Sequence, residues 1–221
     1  MRVALYWAPE PDDPLHTAGS AWLGRDAETG ASLPISPERA ALTKDPRGYG
    51  LHATLKPPFH LAVPYAEALA AATAFAAARA PFDLPPLAVA NLDGFLALRE
   101  QAPCPALHAL ADDAVSVLES LRAPATPEEI ARRRPDRLSP RQRGYLDAWG
   151  YPHVFEDWRF HVTLTRRLTE EEMVVVRPEA EAAVNPAAQR PRRIASVCLF
   201  TQAGPGAPFL IAERLPFGPS A

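Results

Sequence analysis

Residues 2–8 alternate, with Val3, Leu5 and Trp7 on one side and Ala4 and Tyr6 on the other, which is the period of a half-buried strand. Pro9-Glu10-Pro11 ends it, and a helix is predicted over 14–25. A polar, proline-containing stretch leads to a second strand over 51–56, which Pro57-Pro58 is expected to stop. Pro64 opens an alanine-rich helix over 64–80 whose larger apolar residues are Leu69 and Phe75. Strands over 87–91 and 95–99 flank Leu92-Asp93-Gly94 and read as a hairpin, followed by an amphipathic helix over 107–121. Between 123 and 143 stand Pro124, Pro127, Pro135 and Pro140, so no single long helix runs there. A short helix at 145–149, a strand at 160–165, a helix at 170–183 and strands at 194–201 and 209–214 complete the chain.

Each half therefore carries one His-x-Thr-Leu strand, then a helix, then paired strands. The expected organisation is one bilobal domain, with an N-terminal lobe at 1–123 and a C-terminal lobe at 124–221. Leu51-His52-Ala53-Thr54-Leu55-Lys56 and Phe160-His161-Val162-Thr163-Leu164-Thr165 share the pattern apolar-His-apolar-Thr-Leu. Residues i and i+2 of a strand share a face, so His52 with Thr54, and His161 with Thr163, each project an imidazole and a hydroxyl the same way. Ala53, Leu55, Val162 and Leu164 face the other side, where helices can cover them. A pseudo-two-fold packing of the halves would bring the polar pairs to one cleft.

Two imidazoles and two hydroxyls are what phosphodiester chemistry without a metal requires. One base deprotonates the attacker, one acid protonates the leaving oxygen, and hydroxyl donors hold the non-bridging oxygens as charge grows on them. Lys56, two residues beyond Thr54, either reaches a phosphate at the cleft mouth or snorkels at the sheet edge. Tyr6 has a cleft position and a core position both open to it. Arg132, Arg133, Arg134, Arg137, Arg141 and Arg143 face a single acid, Asp136, in a proline-rich stretch that reads either as a solvated face or as a lid over the ligand.

Composition narrows this picture. Of 221 residues, 42 are alanine, so the core rests on the larger side chains; 26 are proline, so elements are short. With 23 basic and 26 acidic residues the net charge is −3, which makes a long nucleic acid an unlikely partner and a small phosphorylated substrate the expected one. Cys104 and Cys198 form no scaffold or zinc motif, and His16, His60, His108 and His153 share no metal-ligand spacing, so no metal or cofactor is expected. No apolar run reaches ~18 residues, so no membrane span is expected, and the reading is a cytoplasmic protein. There is no GxSxG and no glycine-rich phosphate loop.

The two motifs resemble those of the 2H phosphoesterases, a superfamily with two His-x-Thr/Ser motifs in pseudo-symmetric lobes. Residues 49–59, Tyr6-Trp7-Ala8-Pro9, Trp22-Leu23-Gly24-Arg25-Asp26 and the stretch from Trp149-Gly150-Tyr151-Pro152 to Thr165 are similar to a branch associated with phosphonate metabolism, the DUF1045 type. That resemblance implies a LigT-like α+β fold, with antiparallel sheets lining a central cleft and helices outside. It also implies metal-independent work on phosphodiesters, often cyclic ones, with His52, Thr54, His161 and Thr163 as the catalytic set. Two rivals stand beside it: a 2′-5′ RNA phosphodiesterase or ligase, which would show a more basic groove with aromatic stacking platforms, and a module that binds a phosphorylated metabolite without turnover.

Overall fold

Alternation along β1 (Arg2–Trp7) divides the molecule into two faces. Val3, Leu5 and Trp7 join the main apolar core, while Ala4 and Tyr6 join a smaller cluster with Ala27, Cys198, Phe200 and Phe209 on the opposite side. The computed structural model describes residues 1–219. After β1 come α1 (Pro14–Leu23), α2 (Pro37–Leu42), α3 (Lys44–Arg47), β2 (Ala53–His60) and α4 (Tyr65–Ala77). Then follow β3 (Phe82–Leu84), the hairpin β4 (Leu87–Leu92) and β5 (Phe95–Glu100), α5 (Pro105–Val117), α6 (Pro127–Arg132) and α7 (Pro140–Trp149). The chain closes with β6 (Val162–Arg167), α8 (Glu170–Ala188), β7 (Arg192–Ile194), β8 (Ser196–Gln202) and β9 (Leu210–Pro216).

Seven strands form one antiparallel sheet in the order β4-β5-β6-β2-β1-β8-β9, and β3 pairs with β7 in a separate ribbon. Helices cover the face that carries the main core: α5 on β2, α4 on β8 and β9, and α8 on β4 and α1. Ala53, Leu55, Val162 and Leu164 all lie in that core, as their alternation predicts. The architecture is α+β. The sheet does not divide at residue 123: the hairpin β4–β5 lies beside β6, and β8–β9 extend the sheet from β1. β6 therefore lies between two strands of the first half, β5 and β2, while β2 lies between β6 and β1, one strand from each half.

Two elements outrun their proline signals. β2 continues through Pro57 and Pro58 to His60 because it pairs with β6 only at Ala53 and its ladder with β1 is bulged, so few hydrogen bonds are lost there. α8 continues to Ala188 with Pro178 and Pro186 inside it. Its stripe Val176, Ala180, Val184, Ala187 and Ala188 is buried, and Asn185 Oδ1 accepts the Val89 N–H at 3.0 Å, so tertiary packing offsets the ~3 kcal/mol that an interior proline costs. In 123–143, two short pieces, α6 and a single turn at Pro135–Arg137, precede α7.

Lys56 corrects the sequence reading. Tyr6 stands opposite Thr54 but Leu5 stands opposite Lys56, so Leu55 is the extra residue of a bulge. The bulge turns Lys56 to the helix-covered side, where it is 2% exposed and its Nζ donates to Val115 O at 3.0 Å and Glu119 Oε2 at 2.8 Å. It is a core ion pair rather than a cleft residue. Removing one partner of such a pair leaves a buried charge, whereas an apolar replacement of similar length does not. Glu119→Ala is expected to cost ~3 kcal/mol and Lys56→Met less than half of that, read from urea unfolding; equal losses would show that the pair is not what holds this contact.

Candidate active site

Ala53 pairs with Val162 where the two motif strands meet, antiparallel, at the middle of the sheet. This register sets His52 beside Thr163 and Thr54 beside His161, and all four side chains line one cavity of about 330 Å³. Beyond that single pairing the strands part, and two indoles satisfy the backbone: Trp158 Nε1 donates to Thr54 O and Trp22 Nε1 to Leu164 O, both at 2.9 Å. Leu164 and Thr165 are buried in succession, as Leu55 and Lys56 are, so both motif strands kink just after the Thr-Leu pair.

Each imidazole is anchored in the same way. His52 Nδ1 lies 3.0 Å from Gly50 O, and His161 Nδ1 lies 2.8 Å from Arg159 O, in both cases the carbonyl two residues upstream. A carbonyl only accepts, so each Nδ1 carries the proton and each Nε2 is left to accept or deliver one. Gly50 makes the first anchor possible. Its φ of +80° is left-handed, and a Cβ there would collide with that of Ala27.

A family model described as "Protein of unknown function (DUF1045)" matches residues 54–210, well over half of the chain. The chain belongs to the DUF1045 family. Two curated relatives named "Ribose 1,5-bisphosphate phosphokinase PhnN" are 39% identical over 98% of this chain, from Janthinobacterium sp. (strain Marseille), and 38% identical over 96% of it, from Laribacter hongkongensis (strain HLHK9). The match covers 51% of each, so the chain spans about half the length of those relatives. Two solved structures, a "phosphoesterase" and E. coli LigT complexed with NADP+, align at 16% identity and a TM-score of 0.46, over 98% of this chain and 98% and 97% of theirs.

In this DUF1045 chain burial dominates the electrostatics of the histidines. His52 is lowered to about 4 by desolvation, against the Gly50 carbonyl, with the neighbouring His161 adding to the drop. His161 is lowered too, again first by burial, then by Arg99, Arg159 and His153, with the Arg159 carbonyl opposing. Burial also holds the Tyr6 phenol well above its ordinary 10 and raises Tyr151, so both remain hydrogen-bond donors. Tyr6 meets both of its sequence readings: it is buried, and it lines the cavity with its ring 4.1 Å from that of His52. Tyr49 stacks on His52 from another side at 5.6 Å and on Phe209 at 5.0 Å.

Sequence reasoning did not single out Arg2, Tyr49, Phe95, Tyr151, Arg166 or Arg167, all of which line the cavity. Arg2 had a readable signal, since it shares the face of Ala4 and Tyr6 on β1; Arg166 and Arg167 did not, because the kink in β6 decides where they turn. Of the arginine-rich stretch, Arg133 reaches the cavity, with its guanidinium 4.7 Å above the Tyr151 ring, while Arg141 is paired with Asp157. His16 faces Asp26, His60 faces Glu129 and His108 packs edge-on to Trp158. Among the described residues no group of three His, Cys, Asp or Glu is placed to hold a metal ion, and no helix is long and apolar enough to cross a membrane.

Gly50→Ala adds a strained backbone angle and a clash at Ala27, and it tilts the carbonyl that fixes the His52 tautomer. The expected result is a loss of ~1–3 kcal/mol in stability together with a displaced His52 Nε2 resonance in the NMR spectrum. An unmoved resonance would mean that the Gly50 carbonyl does not hold the ring.

Proposed function

We propose that the chain is a metal-independent phosphoesterase of the 2H type that opens a cyclic phosphodiester of a small sugar phosphate or nucleotide. The observation that carries this is the meeting of the two His-x-Thr pairs on one cavity, each imidazole with Nδ1 tied to backbone and Nε2 free. His52, the more strongly depressed, is neutral and suited to the base; His161 is the acid. Water gives its proton to His52 Nε2 as its oxygen bonds to phosphorus. The P–O bond to one sugar oxygen breaks, and that oxygen takes the proton from His161 Nε2. Thr54 and Thr163 donate to the non-bridging oxygens. The product is a phosphate monoester with a free hydroxyl.

The names of the relatives support a ribose phosphate as the neighbourhood of the substrate. Their kinase activity does not transfer on residues, because this chain has no GxxxxGK[ST] loop. One observation favours a second reading, a 2′-5′ oligoribonucleotide: Tyr49, Phe95 and Tyr151 with Arg2, Arg133 and Arg167 give the cavity the aromatic and basic lining that such a substrate uses. A kcat/KM for 2′-5′ oligomers more than tenfold above that for small cyclic phosphates would establish that reading instead.

His52→Ala and His161→Ala should each lower kcat by ~10²–10⁴ with native circular dichroism, and Thr54→Val and Thr163→Val by ~10–10³, with turnover surviving excess EDTA. Binding without any turnover, unchanged in the double histidine variant, would make the protein a binding module. The pH profile of kcat/KM follows from the two shifts. His52 must be neutral, so activity rises as pH passes about 4; His161 must be protonated, so activity falls at a pH below the ordinary 6.5. The bell is expected on the acid side of the window that two unperturbed imidazoles would give. An optimum above pH 7 would overturn this division of roles.

A further inference from the structure

A second cavity of about 240 Å³ opens beside the first and shares Arg2, Tyr49, Pro58 and Arg133 with it. Its outer wall carries His60, Arg122, Glu129 and Arg132, and a hollow of about 180 Å³ continues past Arg2, His60 and Arg132 to the turn at Gly204 and Gly206.

What distinguishes this side is uncompensated charge. Arg39, Arg79, Arg141, Arg166, Arg192 and Arg214 each have a carboxylate partner. Arg122 is committed to Glu119 and to the carbonyls of Ala123 and Ala148. Arg2 instead donates to the neutral Gln202 Oε1 at 2.8 and 2.6 Å, Arg133 lies over the Tyr151 ring, and Arg132 makes no ion pair within 4 Å among the described residues. The single carboxylate in the wall is engaged, since Glu129 Oε2 accepts the Thr126 N–H at 2.9 Å and Oε1 faces His60 Nε2 at 3.6 Å. On the opposite flank a cavity of about 310 Å³ adjoins His161, but there Arg159 is paired with Asp93, Asp157 with Arg141, and Arg167 is committed to the Asp93 carbonyl. Three guanidinium groups without a carboxylate partner therefore line the first side, against Arg167 alone on the other, and they lie within reach of a ligand that already occupies the first cavity.

We propose that Arg2, Arg132 and Arg133 form a second phosphate subsite, so that the substrate class is a cyclic phosphodiester which also carries a separate phosphate monoester. This rests on the phosphoesterase reading above and extends it. The reacting phosphate sits between His52 and His161, the sugar spans Tyr49 and Pro58, and the unreacting monoester, with a charge near −2, sits among the three guanidinium groups. Arg2 and Arg133, common to both cavities, set the distance between the two phosphates.

The test compares adenosine 2′,3′-cyclic phosphate with the same molecule bearing a 5′-monophosphate, which differ only in that group. The added monoester should raise kcat/KM at least tenfold, mainly through KM, and Arg132→Gln should shrink this ratio to below threefold while Arg132→Lys restores part of it. A ratio near one in the natural protein, or a ratio that Arg132→Gln leaves unchanged with native circular dichroism, overturns the subsite. Should neither cyclic compound turn over, calorimetric titration with ribose 1,5-bisphosphate and ribose 5-phosphate separates the two claims. Tighter binding of the bisphosphate that Arg132→Gln abolishes keeps the subsite and removes the hydrolase reading; equal binding removes the subsite. Affinity that grows with the length of a 2′-5′ oligoribonucleotide and falls steeply with salt would make the three arginines part of a strand-binding track, and would also overturn the proposal.

Discussion

The pairing of Ala53 with Val162 is the constraint on which the rest depends. A strand has period two, so one register between two antiparallel strands decides which face every neighbour takes. With these residues buried in the helix-covered core, His52, Thr54, His161 and Thr163 have only the other face left. A slip of one residue would carry the imidazoles into the core beside Leu55 and Leu164. The strands part immediately afterwards, and the room this creates becomes the cavity. Trp22 and Trp158 make the parting affordable by bonding carbonyls that a regular ladder would have paired.

The same burial that shapes the cavity sets its chemistry. Imidazoles set against aromatic rings, His52 by Tyr6, Tyr49 and Phe200 and His161 by Phe95, lose the water that would stabilise their charge, so both are depressed even though each has a carbonyl on Nδ1 that favours the proton. An anion entering between them opposes this by supplying negative charge in a low-dielectric pocket. In the free protein both imidazoles are therefore biased toward the neutral form.

Strands of the two halves interleave around the site. Because β6 lies between β5 and β2, and β2 between β6 and β1, neither motif strand rests on its own half alone. The local elements agree with this plan: alanine-rich α4 lets the backbone come close to β8 and β9, and the prolines of α8 are tolerated because its buried stripe is anchored on both sides.

Much of this was legible in the chain itself. The two His-x-Thr-Leu repeats, the face shared by each His and Thr, the apolar residues between them and the α+β order of elements all follow from period-two and period-3.6 patterning, which local sterics impose whatever the rest of the molecule does. What needed the folded structure was everything that depends on register and on bulges. Lys56 reads as a cleft residue until one extra residue at Leu55 reverses its face, and no pattern in the sequence marks that bulge. The gathering of Arg2, Arg132 and Arg133, from the first strand and from the end of α6 more than a hundred residues away, likewise came from packing. Tertiary contacts alone bring distant residues together, because side-chain alternation fixes a direction relative to its own strand and carries no information about which strand will lie beside it.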